Sequence, residues 1–200
     1  MGYAMKVLVG CEFSGIVRDS FIAEGHDAYS CDILPTESNE ARHWEMDVFE
    51  AIAEGYWDLI ILHPPCTYIA VSGNRHYGKG KKQHRKRIQA IAWTMELWEF
   101  AKLRSCMVCL ENPVGTLPMK ATQYIQPWMF GHTEKKKTGL WLHNLPKLKG
   151  TRNVKKQTDA LPIKDQQKIW YMSPSDDRGK KRSVTYSGIG RAMAKQWGVL

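Results

Sequence analysis

The sequence predicts a single α/β domain over residues 1–200, with a Rossmann-like, doubly wound and mostly parallel sheet. The first observation is the order of local patterns, in which short apolar runs typical of buried strands alternate with stretches of helical spacing. The second is size, because 200 residues with 43% hydrophobic content suffice for one domain with a real core but not for two ordinary ones.

The first part of the chain predicts a strand, a glycine turn, a helix and a second strand. Residues 6–10 form a β-branched run, and Gly15 lies in the turn that follows. Helical spacing extends over 16–24, and residues 28–31 predict a strand that ends at Asp32. A glycine turn before a helix lets a nucleotide-type cofactor approach the backbone, and an acid about 20 residues later suits a ribose. An ordinary βα turn and a capping or loop acid are the open alternatives.

The central strand ends in a polar sequence that contains a thiol. Residues 49–54 predict a helix, and the apolar run 59–62 predicts a buried parallel strand that is stopped at His63-Pro64-Pro65-Cys66. Ligands bind outside the carboxyl ends of the strands in open α/β sheets, so Cys66 lies where a nucleophile would lie. The open alternative is a small buried hydrophobic residue.

The chain after Cys66 predicts a mobile loop, a basic segment and a helix. Residues 67–80 contain too many glycines and polar residues for regular structure. Residues 81–87 are mostly basic and lead into a helix over 88–101. A basic run is usually a solvated helix face, but its position beside Cys66 favours contact with phosphate.

A second strand with a polar end follows. Residues 105–110 predict a buried strand that ends in Glu111-Asn112-Pro113, on the same side of the sheet as Cys66 if the strands are parallel. The polar segment 133–138 precedes a further strand over 139–142. A thiol, a carboxylic acid and a cation are therefore expected at one sheet edge. Such a set suits covalent attack on an electron-poor ring.

The last part of the chain is mostly polar. Residues 148–182 predict a long loop or a minimal appendage, because they carry little periodicity and several turn-forming clusters. A glycine-containing segment over 184–190 then precedes a short helix over 191–197.

Charge and cysteine content indicate the partner class and the compartment. The net charge of +9 favours a polyanionic partner, and nucleic acid is the expectation. No membrane partner is expected, because no apolar run reaches membrane-spanning length and the first residues lack a leader pattern. Five scattered cysteines suit reduced thiols in a bacterial or phage-infected cytoplasm. Cys106 and Cys109 have no partners with metal-site spacing, so no metal is expected.

Together these motifs resemble the cytosine-C5 DNA methyltransferase family, in the form of a small, phage-type member without the usual target recognition domain. The likeness runs over most of the chain, and Pro64-Pro65-Cys66 followed by Glu111-Asn112-Pro113-Val114 are its most specific parts. The other similar segments are Phe13-Ser14-Gly15-Ile16, Asp32, Asp47-Val48, Ser72-Gly73, Thr133 to Lys137 and Gly188 to Ala192. Val17 lies where the family has its second glycine. Two departures bear on function: lysines replace the arginines of the family in segment 133–137, and the region after that segment has no room for the usual recognition domain, which argues against sequence-specific recognition of DNA.

The resemblance implies a class I methyltransferase fold with S-adenosylmethionine as cofactor. It also implies a catalytic set in which Cys66 adds to C6 of cytosine, Glu111 contacts N3 and Lys137 binds O2. The implied cofactor-binding residues are Phe13, Gly15, Ile16, Asp32, Asp47, Val48 and Pro65. The implied substrate-binding residues are Ser72, Lys81, Lys82, Arg85 and Lys135.

The function implied is methyl transfer to C5 of cytosine, most readily in DNA with little or short sequence context. Single-stranded nucleic acid and a cytosine nucleotide stay open as substrates. An adenine-N6 amino-methyltransferase is a rival because its motif also places two prolines after the fourth strand, although it has Asp or Asn where this chain has His63 and an aromatic residue at Cys66. A non-catalytic nucleic-acid-binding protein that keeps the fold is the other alternative.

Overall fold

The computed structural model describes residues 3–200, and seven strands in that range form one mixed sheet. The strands are β1 Lys6–Gly10, β2 Asp27–Asp32, β3 His43–Glu45, β4 Trp57–Leu62, β5 Ser105–Pro113, β6 Gln123–Ile125 and β7 Thr138–His143. Their order across the sheet is β3-β2-β1-β4-β5-β7-β6, and β7 runs antiparallel to both of its neighbours. The pairings among β1 to β5 are all parallel.

Helices cover both faces of this sheet. The α-helices of the described chain are α1 Ile16–Ala23, α2 Val48–Ala53, α3 Asn74–Tyr77, α4 His84–Arg104, α5 Lys155–Asp159, α6 Ile163–Gln166, α7 Lys168–Tyr171, α8 Arg178–Ser183 and α9 Ser187–Trp197. One hydrophobic layer joins α1 and α9 to the strand residues Val9 and Ile61. The other joins α2 and α4 to Leu8 and Ile60. Neighbouring residues of one strand thus enter opposite layers, as expected for parallel strands buried on both faces.

The predicted single α/β domain with a mostly parallel sheet is confirmed. The short strands β3 and β6 were not predicted, because three residues are too few for a clear alternation of apolar and polar positions. The reversed direction of β7 was also not predicted. Strand β5 is longer than expected and continues through Asn112 and Pro113, which pair with Gly139 and Thr138 of β7.

The segment after Cys66 contains ordered turns, so the prediction of an irregular loop over 67–80 is wrong. It forms a 3₁₀ turn over Val71–Gly73 and then helix α3. Arg87 of α4 is buried and holds this segment through three hydrogen bonds. Its guanidinium donates to the Tyr68 carbonyl at 2.6 Å, to the Asn74 side chain at 2.7 Å and to the Ala70 carbonyl at 3.1 Å.

The polar segment 148–182 also contains regular structure. Helices α5, α6 and α7 and the first turn of α8 lie within it. Leu148, Val154 and Thr158 in this segment are buried, so it packs on the domain through part of its length. It is a folded appendage rather than a long loop.

The glycine-containing segment near the C-terminus forms the start of helix α9 rather than a turn before it. An added Cβ at Gly190 would lie 3.2 Å from the carbonyl oxygen of Ile16 and 3.4 Å from the Cα of Val17. Helix α9 therefore lies so close to α1 that an added Cβ at this position would be tightly packed.

Replacing Arg87 by Met should destabilise the protein by about 2–4 kcal/mol, because two buried carbonyl oxygens lose their donors. Arg85→Met is the matched control, since Arg85 lies on the same helix and is exposed; its effect should stay within about 0.5 kcal/mol. Chemical denaturation measures both, and hydrogen exchange over residues 67–77 should accelerate in the Arg87 variant alone. Equal stability of the two variants would show that Arg87 does not hold the segment.

Candidate active site

The parallel register between β4 and β5 brings His63 and Glu111 together. Leu62 pairs with Leu110, so the residues that follow them lie side by side at the carboxyl edge of the sheet. The Nδ1 atom of His63 lies 2.9 Å from Oε2 of Glu111. Both side chains are largely buried, with exposed fractions of 7% and 14%. His63, which directly follows β4, is therefore hydrogen-bonded to Glu111 near the end of β5.

The next pair of residues in the same register positions the thiol. The side-chain amide of the buried Asn112 donates to the carbonyl of Pro64 at 3.1 Å. This hydrogen bond holds the two prolines that lead to Cys66. The Cys66 carbonyl accepts hydrogen bonds from the amides of Ile69 and Ala70, which makes a tight turn directly after the thiol.

The Cys66 thiol is partly buried, and burial raises its pKa above the ordinary value. The positive charges of Lys136 and Arg182 act in the opposite direction, whereas the carboxylate of Glu111 adds to the rise. The thiol is therefore protonated at neutral pH. Any attack by its sulfur requires a step that forms the thiolate.

Glu111 is ionised at neutral pH in this environment. Burial raises the pKa of its carboxyl group, but the hydrogen bond and the charge of His63, the charge of Lys136 and the hydroxyl of Thr138 together bring it below the ordinary value. The carboxylate thus acts as an acceptor towards His63.

The cation of the site is Lys136. Thr138 of β7 lies on the same face of the sheet as Glu111, and in an extended segment the side chain two residues earlier lies on that face too. The charge of Lys136 acts on both Cys66 and Glu111. The ammonium group of Lys137 instead lies 4.5 Å from the ring centre of Tyr124. The structure therefore does not bring Lys137, the lysine that the sequence predicts, to the thiol.

The last residue of the appendage and the three residues after it cover the site. The Lys136 ammonium donates to the main-chain carbonyl of Arg182 at 3.0 Å. Residues 183–185 line a small cavity of about 30 Å³ together with His63 and the turn after β1. We call residues 182–185 the cover segment. Through the cover segment, the C-terminal part of the chain lies near Cys66 and His63.

Glu12 forms the opposite wall of that cavity and is 4% exposed. Its carboxylate accepts from the amides of Val17 at 2.7 Å and Arg18 at 3.2 Å, and so satisfies the N-terminus of α1. Burial raises its pKa, and the nearby His63 opposes that rise. His63 is therefore bonded to Glu111 and shares a cavity with Glu12.

The predicted cofactor turn has the backbone that its glycine implies. Gly15 has φ of 72° and precedes α1, a conformation that favours glycine. Phe13 is buried, and the ammonium group of Lys180 lies 4.9 Å from its ring centre. Ile16 is the first residue of α1.

The predicted acids lie at the carboxyl edge beside this turn, and each also has a local role. Asp32 ends β2 and accepts from the amide of Leu34 at 3.0 Å. Asp47 caps α2 through the amide of Phe49 at 2.8 Å. Burial is the main cause of the raised pKa of the Cys11 thiol, and Cys31 is the second. The carboxylates of Asp32 and Asp47 raise this pKa further, so both lie near the end of β1.

Four other predicted residues have different environments. Val48 belongs to the core beneath α2, and Pro65 is exposed at the strand end. Ser72 is exposed in the 3₁₀ turn. Lys135 forms an ion pair with Asp159 at 2.7 Å and so points to the appendage.

The basic residues Lys81, Lys82 and Arg85 are exposed at the start of α4. Among residues 3–200 none of the three has an acidic partner within ion-pair distance. They remain available to an anionic ligand.

Sequence reasoning missed the roles of Glu12, His63, Lys136 and Arg182. For His63 the signal was present, because it directly follows the central strand and precedes the two prolines. For Lys136 the alternation counted back from Thr138 could have separated it from Lys137. Nothing local in the sequence indicates that the cover segment returns to the thiol.

Comparison with protein-family models finds no match for this chain, and comparison with curated protein sequences finds none either. Within residues 3–200, the His, Cys, Asp and Glu side chains form no cluster suited to a metal ion, and all five cysteines are free. No helix of the described chain is both long and apolar enough to cross a bilayer.

Lys136→Met should slow alkylation of Cys66 by iodoacetamide at fixed pH, because loss of a nearby positive charge raises the thiol pKa further. Glu111→Gln should accelerate it, because a negative charge is removed. Each pKa unit changes the thiolate fraction below the pKa by about tenfold. Peptide mass spectrometry between pH 7 and 10 gives the rate for each thiol separately.

Lys137→Met is the matched control, since its ammonium group lies against Tyr124. It should leave the alkylation rate of Cys66 unchanged. A larger effect of the Lys137 variant than of the Lys136 variant would contradict the assignment of the cation.

Proposed function

We propose that this protein is an S-adenosylmethionine-dependent methyltransferase that acts on C5 of cytosine in DNA through a covalent adduct with Cys66. The observation that carries the proposal is the convergence of Cys66, Glu111 and Lys136 at one sheet edge, from three separate parts of the chain. A nucleophile, a carboxyl group and a cation are the groups that covalent attack on a pyrimidine ring requires.

Each of these residues has a defined part in the proposed reaction. The Cys66 thiolate forms a bond to C6, while Glu111 contacts N3 and Lys136 binds O2, so that the electron pair of the C5–C6 double bond becomes available at C5. S-adenosylmethionine supplies the methyl group that C5 takes. A base then removes the C5 proton, and the electron pair of the C5–H bond restores the C5–C6 double bond as the bond from C6 to the Cys66 sulfur breaks and releases the thiolate. Lys136 takes the part that the resemblance implied for Lys137, because its charge acts on Cys66.

The sheet supports a class I methyltransferase fold. Strands β3, β2, β1, β4 and β5 follow the order of doubly wound dinucleotide-binding sheets, and β7 adds a reversed strand next to β5. The residues expected to bind the cofactor fit that task, since Gly15 has a left-handed backbone and Asp32 and Asp47 converge at the end of β1. The turn, the acids and the thiol share one edge, so a cofactor there would lie beside the reacting base.

The positive charge of the protein is the basis for proposing nucleic acid as the class of substrate. The net charge is +9, and the unpaired basic residues at the start of α4 follow the turn that leads away from Cys66. Nucleic acid backbones bind such surfaces without reading sequence. A base inside a duplex would have to leave the stack to reach the thiol. We place the protein in a cytoplasm, where thiols stay reduced.

A non-catalytic nucleic-acid-binding role is the second candidate. Two observations favour it: burial raises the pKa of the Cys66 thiol, and the Lys136 ammonium is already bonded to the Arg182 carbonyl. Such a protein would bind nucleic acid with no methyl transfer.

The deciding experiment supplies tritiated S-adenosylmethionine with duplex DNA, single-stranded DNA, RNA or dCMP, and identifies the labelled nucleoside by mass. Label on C5 of cytosine is expected. Label on an adenine exocyclic nitrogen would replace the proposal with the amino-methyltransferase reading. Cofactor and DNA binding without any label would favour the non-catalytic role.

Cys66→Ser should abolish methyl transfer and keep cofactor binding, because a serine hydroxyl is a far weaker nucleophile. Cys106→Ser is the matched control: Cys106 is exposed near the opposite edge of the sheet, and its loss should leave the rate unchanged. Full activity of the Cys66 variant would remove the covalent mechanism.

A further inference from the structure

His63 has an arrangement that the proposed reaction does not yet use. Its side chain is 7% exposed and is hydrogen-bonded to Glu111, and it lines a small cavity together with Glu12. Because a carboxylate only accepts hydrogen bonds, the Nδ1 atom of His63 carries the proton that Glu111 receives at 2.9 Å.

The other ring nitrogen has no fixed partner. Nε2 of His63 is buried and makes no hydrogen bond within the described residues 3–200. It lies at the small cavity of about 30 Å³ that Glu12 and the cover segment line. A buried polar atom without a partner is costly, so such atoms are retained mainly where they serve a function.

Glu111 alone cannot supply a proton to a substrate. Its carboxyl group is ionised at neutral pH because of the partners described above. The imidazole of His63, whose Nδ1 lies 2.9 Å from Oε2 of Glu111, is directly bonded to that carboxylate and can hold a transferable proton.

We propose that His63 supplies, through Glu111, the proton that the reacting base takes at N3, and that it takes the proton back at the end of the reaction. This inference rests on the proposed cytosine-C5 function. It assigns a positioning and proton-holding role to His63, and leaves direct contact with the base to Glu111.

The proton step balances without any further reactant. The Nδ1–H bond of the imidazolium breaks, the proton passes over the Glu111 carboxyl group, and an N–H bond forms at N3. The electron pair of the broken bond stays on Nδ1, so the imidazole becomes neutral while the base gains the positive charge. When Cys66 leaves, N3 returns the proton by the same path.

The surroundings of His63 suit a ring that gains and loses a charge. Glu111 faces it from β5, and Glu12 faces it from the turn after β1. Cys11 and the cover segment complete the cavity wall. The positive charge of Lys136, which acts on Glu111, prevents the carboxylate from binding the proton permanently.

His63→Asn tests the inference, because the asparagine amide places an N–H donor near the position of Nδ1 but cannot release a proton. The assay uses the nucleic acid that the wild-type protein methylates. The kcat of the variant should be lower than that of the wild type by about 10²-fold or more, while KM for that nucleic acid stays unchanged. In a plot of kcat against pH, the decline of the wild-type curve towards high pH should be absent from the curve of the variant. His143→Asn is the matched control at the far end of β7, and its kinetics should equal those of the wild type.

The outcomes separate the inference from the function on which it rests. Methylation by the wild type together with an unchanged kcat and pH profile of His63→Asn overturns the relay and leaves the function intact. Absence of methylation by the wild type overturns both.

A measurement on the free wild-type protein keeps the test valid if His63→Asn does not fold. At one fixed pH, the Nδ1 resonance of His63 in ¹⁵N-labelled protein should shift in Glu111→Gln, because the carboxylate acceptor is lost. An unchanged resonance shows that the two groups do not share a proton, and overturns the relay.

Discussion

The register between β4 and β5 is the constraint on which the site depends. With Leu62 opposite Leu110, the polar residues after each strand become neighbours, and Asn112 reaches the carbonyl before the second proline. A shift of one residue would turn every side chain of β4 to the other layer of the core. Because both layers are closely packed with apolar residues, the register is strongly specified. Packing of the core thus determines the geometry of the chemistry.

The charges at this edge depend on one another. An isolated buried carboxylate costs several kcal/mol, so each one needs partners nearby. Glu12 has the amides at the start of α1, and Glu111 has His63. Lys136 adds a positive charge that acts on both the carboxylate and the thiol. His63 lowers the pKa of both carboxylates, and Lys136 lowers the pKa of Glu111 and of the thiol, so exchange of either residue changes more than one group. Such coupling is typical of functional clusters.

Much of the fold could be predicted from the sequence, because apolar runs that end in proline and polar residues mark buried parallel strands. That rule placed Cys66 and Glu111 at strand ends. It could not give the direction of β7, since strand direction depends on pairing and not on local pattern. The alternation counted back from Thr138 separates Lys136 from Lys137, but the pairing of β7 with β5 is needed to show which of the two lies on the face of Glu111. The sequence could not identify Arg87 as a buried residue for a related reason. It belongs to a basic run, which is typical of a solvated helix face, and only the tertiary fold shows that it is buried.

The reversed strand β7 also determines where the chain goes next. Thr138 at its start lies beside Pro113 at the site edge, whereas His143 at its end lies beside Val108, towards the opposite edge. The chain must therefore travel back along the domain before residues 182–185 reach the thiol. Insertions in this return path would change what lies above the site and leave the strand register untouched. The surroundings of Cys66 and the register of the strands beneath it are therefore set by different parts of the chain.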